Sequence, residues 1–153
     1  MSTDGDEQVL DLLAEARNDE FETVINYQTD AIALAGVAAE EVAESLSADV
    51  QEELGHAEEL GERIVQLGGQ PEGSFEMEMS QQSLQPPEDP TDTLDVIDGV
   101  IEAEKGAVET YRELVSVAEE ADDPVTEDLA TELLADEEEH LTEFEGYRKE
   151  YEN

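Results

Sequence analysis

The chain of 153 residues contains no cysteine, and it has only 6 lysines and arginines against 45 aspartates and glutamates. Without cysteine it can form neither a disulfide framework nor a thiolate metal site, so any metal would bind through oxygen and nitrogen atoms. The net charge of -39 repels phosphates and anionic headgroups. We therefore expect neither nucleic acid nor a membrane as a partner.

Long apolar runs are also missing. No stretch approaches the roughly 18 consecutive apolar residues of a membrane-spanning helix, and the N-terminus has no basic segment followed by an apolar one. We therefore expect a cytoplasmic protein. Its even spread of acids resembles that of halophilic proteins adapted to molar salt, in which the Debye length is about 3 Å. Most of the acids are interpreted as surface groups that keep the protein solvated.

Apolar residues make up 38% of the chain, enough to build a core in a single domain covering residues 1–153. Four long segments carry apolar residues at alternating steps of three and four, which is typical of helices that face a core. The pattern predicts an all-α fold, a four-helix bundle made of two helical hairpins at about 6–68 and 92–151. The first helix is expected to span roughly residues 6–38.

Sequence signals also place the helix ends and the connection between the hairpins. Gly68 and Gly69 predict the end of the second helix, and Asp123 followed by Pro124 predicts the start of the fourth. Residues 69–91 are rich in Gly, Pro, Gln and Ser, and a connection of this length is what one crossover in such a bundle needs.

The middle of this crossover, Ser74 to Leu84, is expected to form a short helix. Its two methionines, Met77 and Met79, are expected to pack against apolar surface there.

Ionisable residues interrupt the apolar stripes near their centres. Glu53 and His56 lie on the stripe of the second helix, and Glu137 and His140 lie on that of the fourth. Charges in a bundle interior are costly unless they are paired or bound to a metal. Both histidines of the chain thus occur in the motif Glu-x-x-His, whose i, i+3 spacing aims the two side chains at one point.

The first and third helices each supply a glutamate that is followed seven residues later by a tyrosine, Glu20 with Tyr27 and Glu104 with Tyr111. An offset of 84 residues (104 - 20) relates these two pairs. The same offset relates the two Glu-x-x-His motifs, Glu53 and His56 to Glu137 and His140. The chain is therefore an internal repeat of a helical hairpin.

Such a set of side chains suits two metal ions. Two divalent cations a few ångströms apart need carboxylates between them, and four glutamates balance the charge of such a pair in a dry core. Oxygen-rich ligation without thiolates favours iron, with manganese as the alternative, over copper or structural zinc. We expect two iron ions per chain.

The pattern resembles the ferritin-like superfamily, in which two helices supply a glutamate each and two supply Glu-x-x-His. The closest resemblance, over about residues 7–150, is to bacterioferritins. It implies that Glu53 and Glu137 bridge both metals. Glu20 and His56 would complete one site. Glu104 and His140 would complete the other.

The resemblance further implies a ferroxidase that oxidises Fe(II) with dioxygen or hydrogen peroxide in a homo-oligomer, for iron storage or for protection against oxidative stress. Tyr27 and Tyr111 are expected to hydrogen-bond to ligand carboxylates or to act in electron transfer. The alternative is that both are core aromatic residues with satisfied hydroxyl groups.

Some features depart from the bacterioferritin pattern. Leu54 follows Glu53 where bacterioferritins carry a haem-ligating methionine, so we do not expect haem. Only 13 residues follow His140, too few for the fifth helix of 24-subunit ferritins, and this short end resembles Dps-like mini-ferritins. Two other functions stay open: a rubrerythrin-like or manganese-dependent peroxide scavenger, and a non-catalytic acidic helical assembly protein.

Overall fold

The computed structural model describes residues 4–152, and within that range the secondary structure is entirely helical. The four long helices are α1 (Asp4–Ala33), α2 (Glu40–Gln66), α3 (Thr93–Glu120) and α4 (Pro124–Tyr151). Two short 3₁₀ turns lie at Val37–Ala39 and Ser74–Glu76. The all-α, four-helix prediction is confirmed. None of the helices in this part of the chain is both long and apolar enough to cross a membrane.

The ends of α2 and α4 follow the local sequence signals. Beyond α2, Gly68 adopts a positive φ of 86°, and the N–H of Gly69 donates to the carbonyl of Ile64 at 2.9 Å. At the start of α4, Asp123 accepts a hydrogen bond from the N–H of Thr126 at 3.1 Å, and proline occupies the first turn. These contacts satisfy backbone groups that the helices leave unpaired.

The first helix is shorter at its C-terminal end than the sequence predicts. α1 ends at Ala33, not near residue 38. Two residues later the N–H of Ala35 donates to the carbonyl of Pro90 at 2.9 Å, and Gly36 then takes a φ of 101°. The chain leaves the helix because its backbone bonds to the end of the crossover and turns at a glycine.

The prediction of a helix over Ser74 to Leu84 is wrong, since only the 3₁₀ turn Ser74–Glu76 forms. Beyond this turn the crossover lies against α1. The N–H of Glu78 donates to Asn18 Oδ1 at 2.9 Å, and the N–H of Gln81 donates to the Glu22 carboxylate. These donors are therefore unavailable to a helix.

Methionine packing in the crossover also differs from the expectation. Met79 is 54% exposed, whereas Met77 is partly buried. The crossover contributes Leu84 to the core instead, and it is held there by a close approach to α3. A Cβ on Gly99 would lie 2.5 Å from the carbonyl oxygen of Ser83, so only glycine allows this contact.

A polar layer divides the core of the bundle in two. α1 packs against α2, α3 packs against α4, and the two hairpins meet mainly along α1 and α3. One apolar cluster, which includes Leu13, Leu60 and Leu133, fills one end of the bundle. A second cluster, which includes Leu46 and Phe144, fills the other end. The ionisable residues singled out from the sequence lie between them.

Candidate metal centre

All six side chains expected to be ligands lie together at mid-length of the bundle. His140, the most exposed of them, is only 5% exposed. α1 and α3 supply one glutamate each, and α2 and α4 supply a glutamate and a histidine each: Glu20, Glu104, Glu53 with His56, and Glu137 with His140. Their assignment as metal ligands stays a prediction.

One cluster within this layer contains Glu20, Glu53, His56 and Glu137, whose candidate ligand atoms all lie within 4.8 Å of one another. The Nδ1 atom of His56 is 3.1 Å from Glu20 Oε2 and 3.1 Å from Glu137 Oε1. It is 3.7 Å from Glu53 Oε1. Three carboxylates from three helices thus surround a single imidazole nitrogen.

A second cluster contains Glu53, Glu104, Glu137 and His140, again with candidate ligand atoms within 4.8 Å. The Nδ1 atom of His140 lies 3.3 Å from Glu53 Oε1 and 3.7 Å from Glu104 Oε1. Glu53 and Glu137 belong to both clusters. The arrangement therefore offers two adjacent positions that share two carboxylates.

Several atoms of the clusters are buried without a hydrogen-bond partner among the described residues. They are Glu53 Oε1, Glu104 Oε2, both carboxylate oxygens of Glu137, and His140 Nδ1. Buried polar atoms that lack a partner in this way are costly. Oxygen and imidazole nitrogen atoms are also the donors that iron and manganese accept, so these residues fit a pair of such ions.

The cluster holds protons when no metal is bound. Burial raises the pKa of all four glutamates, and that of Glu104 reaches about 8. Burial alone would lower the pKa of His56, but the adjacent carboxylates of Glu137 and Glu20 outweigh it and raise the pKa to about 12. The pKa of His140 is raised in the same way by Glu104 and by Glu53. These raised pKa values favour the protonated form of both imidazoles at neutral pH in the metal-free protein.

The outer nitrogen of each histidine meets a carboxylate from the opposite hairpin. His56 Nε2 lies 2.9 Å from Asp136 Oδ2, and His140 Nε2 lies 2.8 Å from Glu52 Oε2. Such contacts hold the rings with Nδ1 facing the clusters. Sequence analysis did not identify Asp136 and Glu52 as partners of the histidines. The repeat could have done so, because each acid directly precedes a shared glutamate and the two acids are 84 residues apart (136 - 52).

A further buried acid, Asp49, lies beside the second cluster. Its Oδ1 atom is 3.5 Å from His140 Nε2, and Oδ2 has no hydrogen-bond partner among the described residues. Burial raises the pKa of Asp49 to about 7. The repeat places Leu133 at the corresponding position of the second hairpin, so the surroundings of the two histidines differ.

The two tyrosines lie next to the clusters, at opposite ends of the polar layer. The Tyr27 hydroxyl donates a hydrogen bond to Glu104 Oε1. Tyr111 faces Glu20, although its buried hydroxyl forms no hydrogen bond of normal geometry in the described part of the chain. Neither contact tests a catalytic role, which stays a prediction.

A four-helix bundle with a buried layer of four glutamates and two histidines is the arrangement known from carboxylate-bridged metal proteins. A family model described as the ferritin-like domain matches residues 10–153. The chain therefore belongs to the ferritin-like family. The bacterioferritin of Desulfovibrio desulfuricans is 26% identical over 139 residues, which cover 91% of this chain and 73% of that protein.

Solved structures share the fold. A ferritin-like diiron-carboxylate protein from Bacillus anthracis superposes with a TM-score of 0.85 at 19% identity, covering 96% of this chain and 99% of the other. Rhodobacter capsulatus bacterioferritin, with a metal-free dinuclear site and a haem iron, superposes with a TM-score of 0.84 at 23% identity, covering 99% of this chain and 89% of the other. Desulfovibrio desulfuricans bacterioferritin, with its diiron site, superposes with a TM-score of 0.84 at 24% identity, covering 100% of this chain and 86% of the other.

Proposed function

We propose that this protein is a ferroxidase, which binds Fe(II) in pairs and oxidises it with dioxygen or hydrogen peroxide. The product would serve iron storage and detoxification or protection against oxidative stress. The observation that carries the proposal is the pair of buried clusters that share Glu53 and Glu137. Membership of the ferritin-like family and the bacterioferritin relative support the same activity.

In this proposal each cluster holds one ion. Glu20 and His56 would hold one ion together with the shared glutamates, and Glu104 and His140 would hold the other with the same two glutamates. Four carboxylates then balance the charge of two divalent cations within a region that the apolar clusters keep dry. Iron is the metal that fits the family, and manganese could occupy the same donors.

The surrounding side chains prepare the ligands. Asp136 and Glu52 accept hydrogen bonds from the outer nitrogens of the histidines, which leaves each Nδ1 lone pair free for a metal once the imidazole is neutral. Tyr27 donates to Oε1 of Glu104, whose Oε2 has no partner among the described residues and can bind an ion. When bound, ferrous ions supply one electron each to the oxidant.

Aerobic oxidation of Fe(II) by the purified apoprotein in molar salt tests the proposal. Glu53→Ala removes a shared carboxylate and His140→Ala removes one imidazole, so we expect each to slow oxidation at least about tenfold. Glu139→Ala is the matched control, because this acid is an exposed neighbour of His140 on α4. Oxidation by both site variants at the wild-type rate would refute the proposal.

Metal content provides a second measurement. We expect two ions per chain in the wild type and in Glu139→Ala, and fewer in Glu53→Ala. A wild-type protein that binds no iron or manganese would favour the non-catalytic alternative.

Haem is not part of the proposal. Leu54 follows Glu53, and within the described residues the methionines, Met77 and Met79, lie in the crossover rather than on α2. Titration with haem is expected to leave the protein without a stoichiometric haem absorption band.

A further inference from the structure

Three buried oxygen atoms near one end of the bundle lack a hydrogen-bond partner among the described residues. They are both carboxylate oxygens of Asp30 and the hydroxyl oxygen of Thr93. Asp30 is fully buried and Thr93 is only 4% exposed. Neither residue belongs to the clusters of the candidate metal centre. Whatever stabilises these oxygens is therefore separate from that centre.

Asp30 and Thr93 lie at the same end of the contact between α1 and α3. Asp30 is in the last turn of α1, and Thr93 is the first residue of α3. The hydrogen bond from Ala35 to Pro90 joins the chain just after α1 to the chain just before α3. The negative charge of Asp95, in the first turn of α3, also acts on Asp30. The Asp30 carboxylate is therefore near the start of α3.

The internal repeat shows that the fold does not need polar groups at this place. By the offset of 84, Asp30 corresponds to Leu114 and Thr93 corresponds to Val9. Leu114 and Val9 are both buried in the apolar cluster that fills the other end of the bundle. An aspartate and a threonine thus replace an apolar pair at one end only. Such a replacement costs stability unless another group binds the polar atoms.

The local charges around Asp30 are negative. α1 has no basic residue in its last turn, and the C-terminal end of a helix carries a partial negative charge. Burial, and then Asp95, raise the pKa of Asp30 to about 7. At pH 8 the carboxylate is therefore mostly ionised, in surroundings that would attract a cation.

We propose that Asp30 and Thr93 form a binding site for one hard monovalent cation, Na⁺ or K⁺. Oxygen atoms are the ligands that hard cations prefer, and this pair of side chains supplies three of them. One buried carboxylate balances a single positive charge, which favours a monovalent ion over Ca²⁺ or Mg²⁺. A cation can bind all three oxygens at once, whereas protonation of Asp30 supplies only one hydrogen-bond donor.

The proposed ion would couple the stability of the fold to the kind of salt present. A ligand that binds the folded chain and not the unfolded chain stabilises the fold by mass action. The effect would differ from general screening of the acidic surface, because screening depends on ionic strength and not on the identity of the cation. The proposal does not depend on the metal centre.

Urea unfolding at pH 8 in molar potassium, sodium or choline chloride tests the proposal, because choline screens charge but is too large for a site of three buried oxygens. Replacing choline by Na⁺ or K⁺ should increase the folding equilibrium constant of the wild type at least about tenfold more than that of Asp30→Asn. Asp11→Asn removes an exposed acid of α1 and should respond like the wild type. Equal responses of the wild type and Asp30→Asn to all three salts would overturn the proposal.

The hydroxyl group and the ionised carboxylate can be tested separately. Thr93→Val keeps the shape of the side chain and introduces the residue type of Val9, so it should fold, but its response to Na⁺ or K⁺ should be smaller than that of the wild type. The wild-type response should also disappear towards pH 4, where Asp30 is protonated. A full response in Thr93→Val, or a wild-type response that persists at pH 4, would contradict the proposal.

Discussion

The proposed binding of two divalent cations in the buried six-residue layer would require them to replace protons. Four glutamates carry up to four negative charges, and in the metal-free protein four protons distributed over the six groups would neutralise them. Two of these protons belong to His56 and His140, whose pKa values are raised. The others belong to the glutamates, including Glu104, whose pKa is about 8. Metal binding at pH 7 should therefore release between about two and four protons per pair of ions.

The sign of the pH dependence follows from this exchange. Each raised pKa means that the metal-free cluster holds a proton at neutral pH, and a ligand atom must lose it before it can bind a cation. Metal affinity should therefore increase with pH. Release of at least two protons corresponds to an increase of at least about 100-fold per pH unit in the association constant for the pair. Between pH 6 and 8 the pH stays below the raised pKa values of both histidines, so each imidazole still has a proton to release.

Calorimetric titration with Mn(II) measures the number of released protons, using two buffers that differ in their enthalpy of ionisation. His140→Gln should release about one proton fewer than the wild type, because it lacks one imidazolium. Asp30→Asn is the control, since Asp30 is a buried acid outside both clusters. Release of fewer than about two protons, or an affinity that does not change with pH, would refute this account of the cluster.

Three further predictions concern single positions. Burial, and then Asp95, raise the pKa of Asp30 from 3.8 to about 7, so its ionisation destabilises the fold as pH rises between these values. Asp30→Asn should be more stable at pH 8 by up to roughly 4 kcal/mol in urea unfolding, with the gain vanishing towards pH 4. Tyr27→Phe should weaken binding of one Mn(II) about tenfold in calorimetry, because Glu104 loses its hydrogen-bond donor. Gly99→Ala should lower the free energy of unfolding by about 1–3 kcal/mol, as measured by thermal unfolding. Gly106→Ala is the control, because the space at its Cβ is open, and it should be neutral or stabilising.

Regular features of the chain were predictable from sequence because they depend on local rules. Apolar spacing predicted the four helices, and Gly68 with Asp123 predicted two of their ends. The repeat offset also singled out the six buried residues, since a glutamate or histidine on an apolar stripe conflicts with its surroundings. The chain contains its own second example of the motif, so each half of the repeat points to the same residues in the other.

Features that depend on contacts between distant segments were not predictable. α1 ends early because Ala35 bonds to Pro90, and the crossover stays non-helical because Asn18 and Glu22 bind its N–H groups. These contacts join residues more than 50 positions apart, and no local pattern reports them. Asp49 was missed for a related reason, since one more acid in so acidic a chain carries no signal until its burial is known.

The repeat accounts for the six central residues but not for their surroundings. Asp30 and Asp49, two buried acids of the first hairpin, correspond to Leu114 and Leu133 in the second. An acid at such a position costs stability that leucine does not, so the fold itself does not require it. Because Asp49 lies 3.5 Å from His140 Nε2 and the repeat offers His56 only a leucine there, the two clusters are electrostatically inequivalent despite their matching glutamates and histidines.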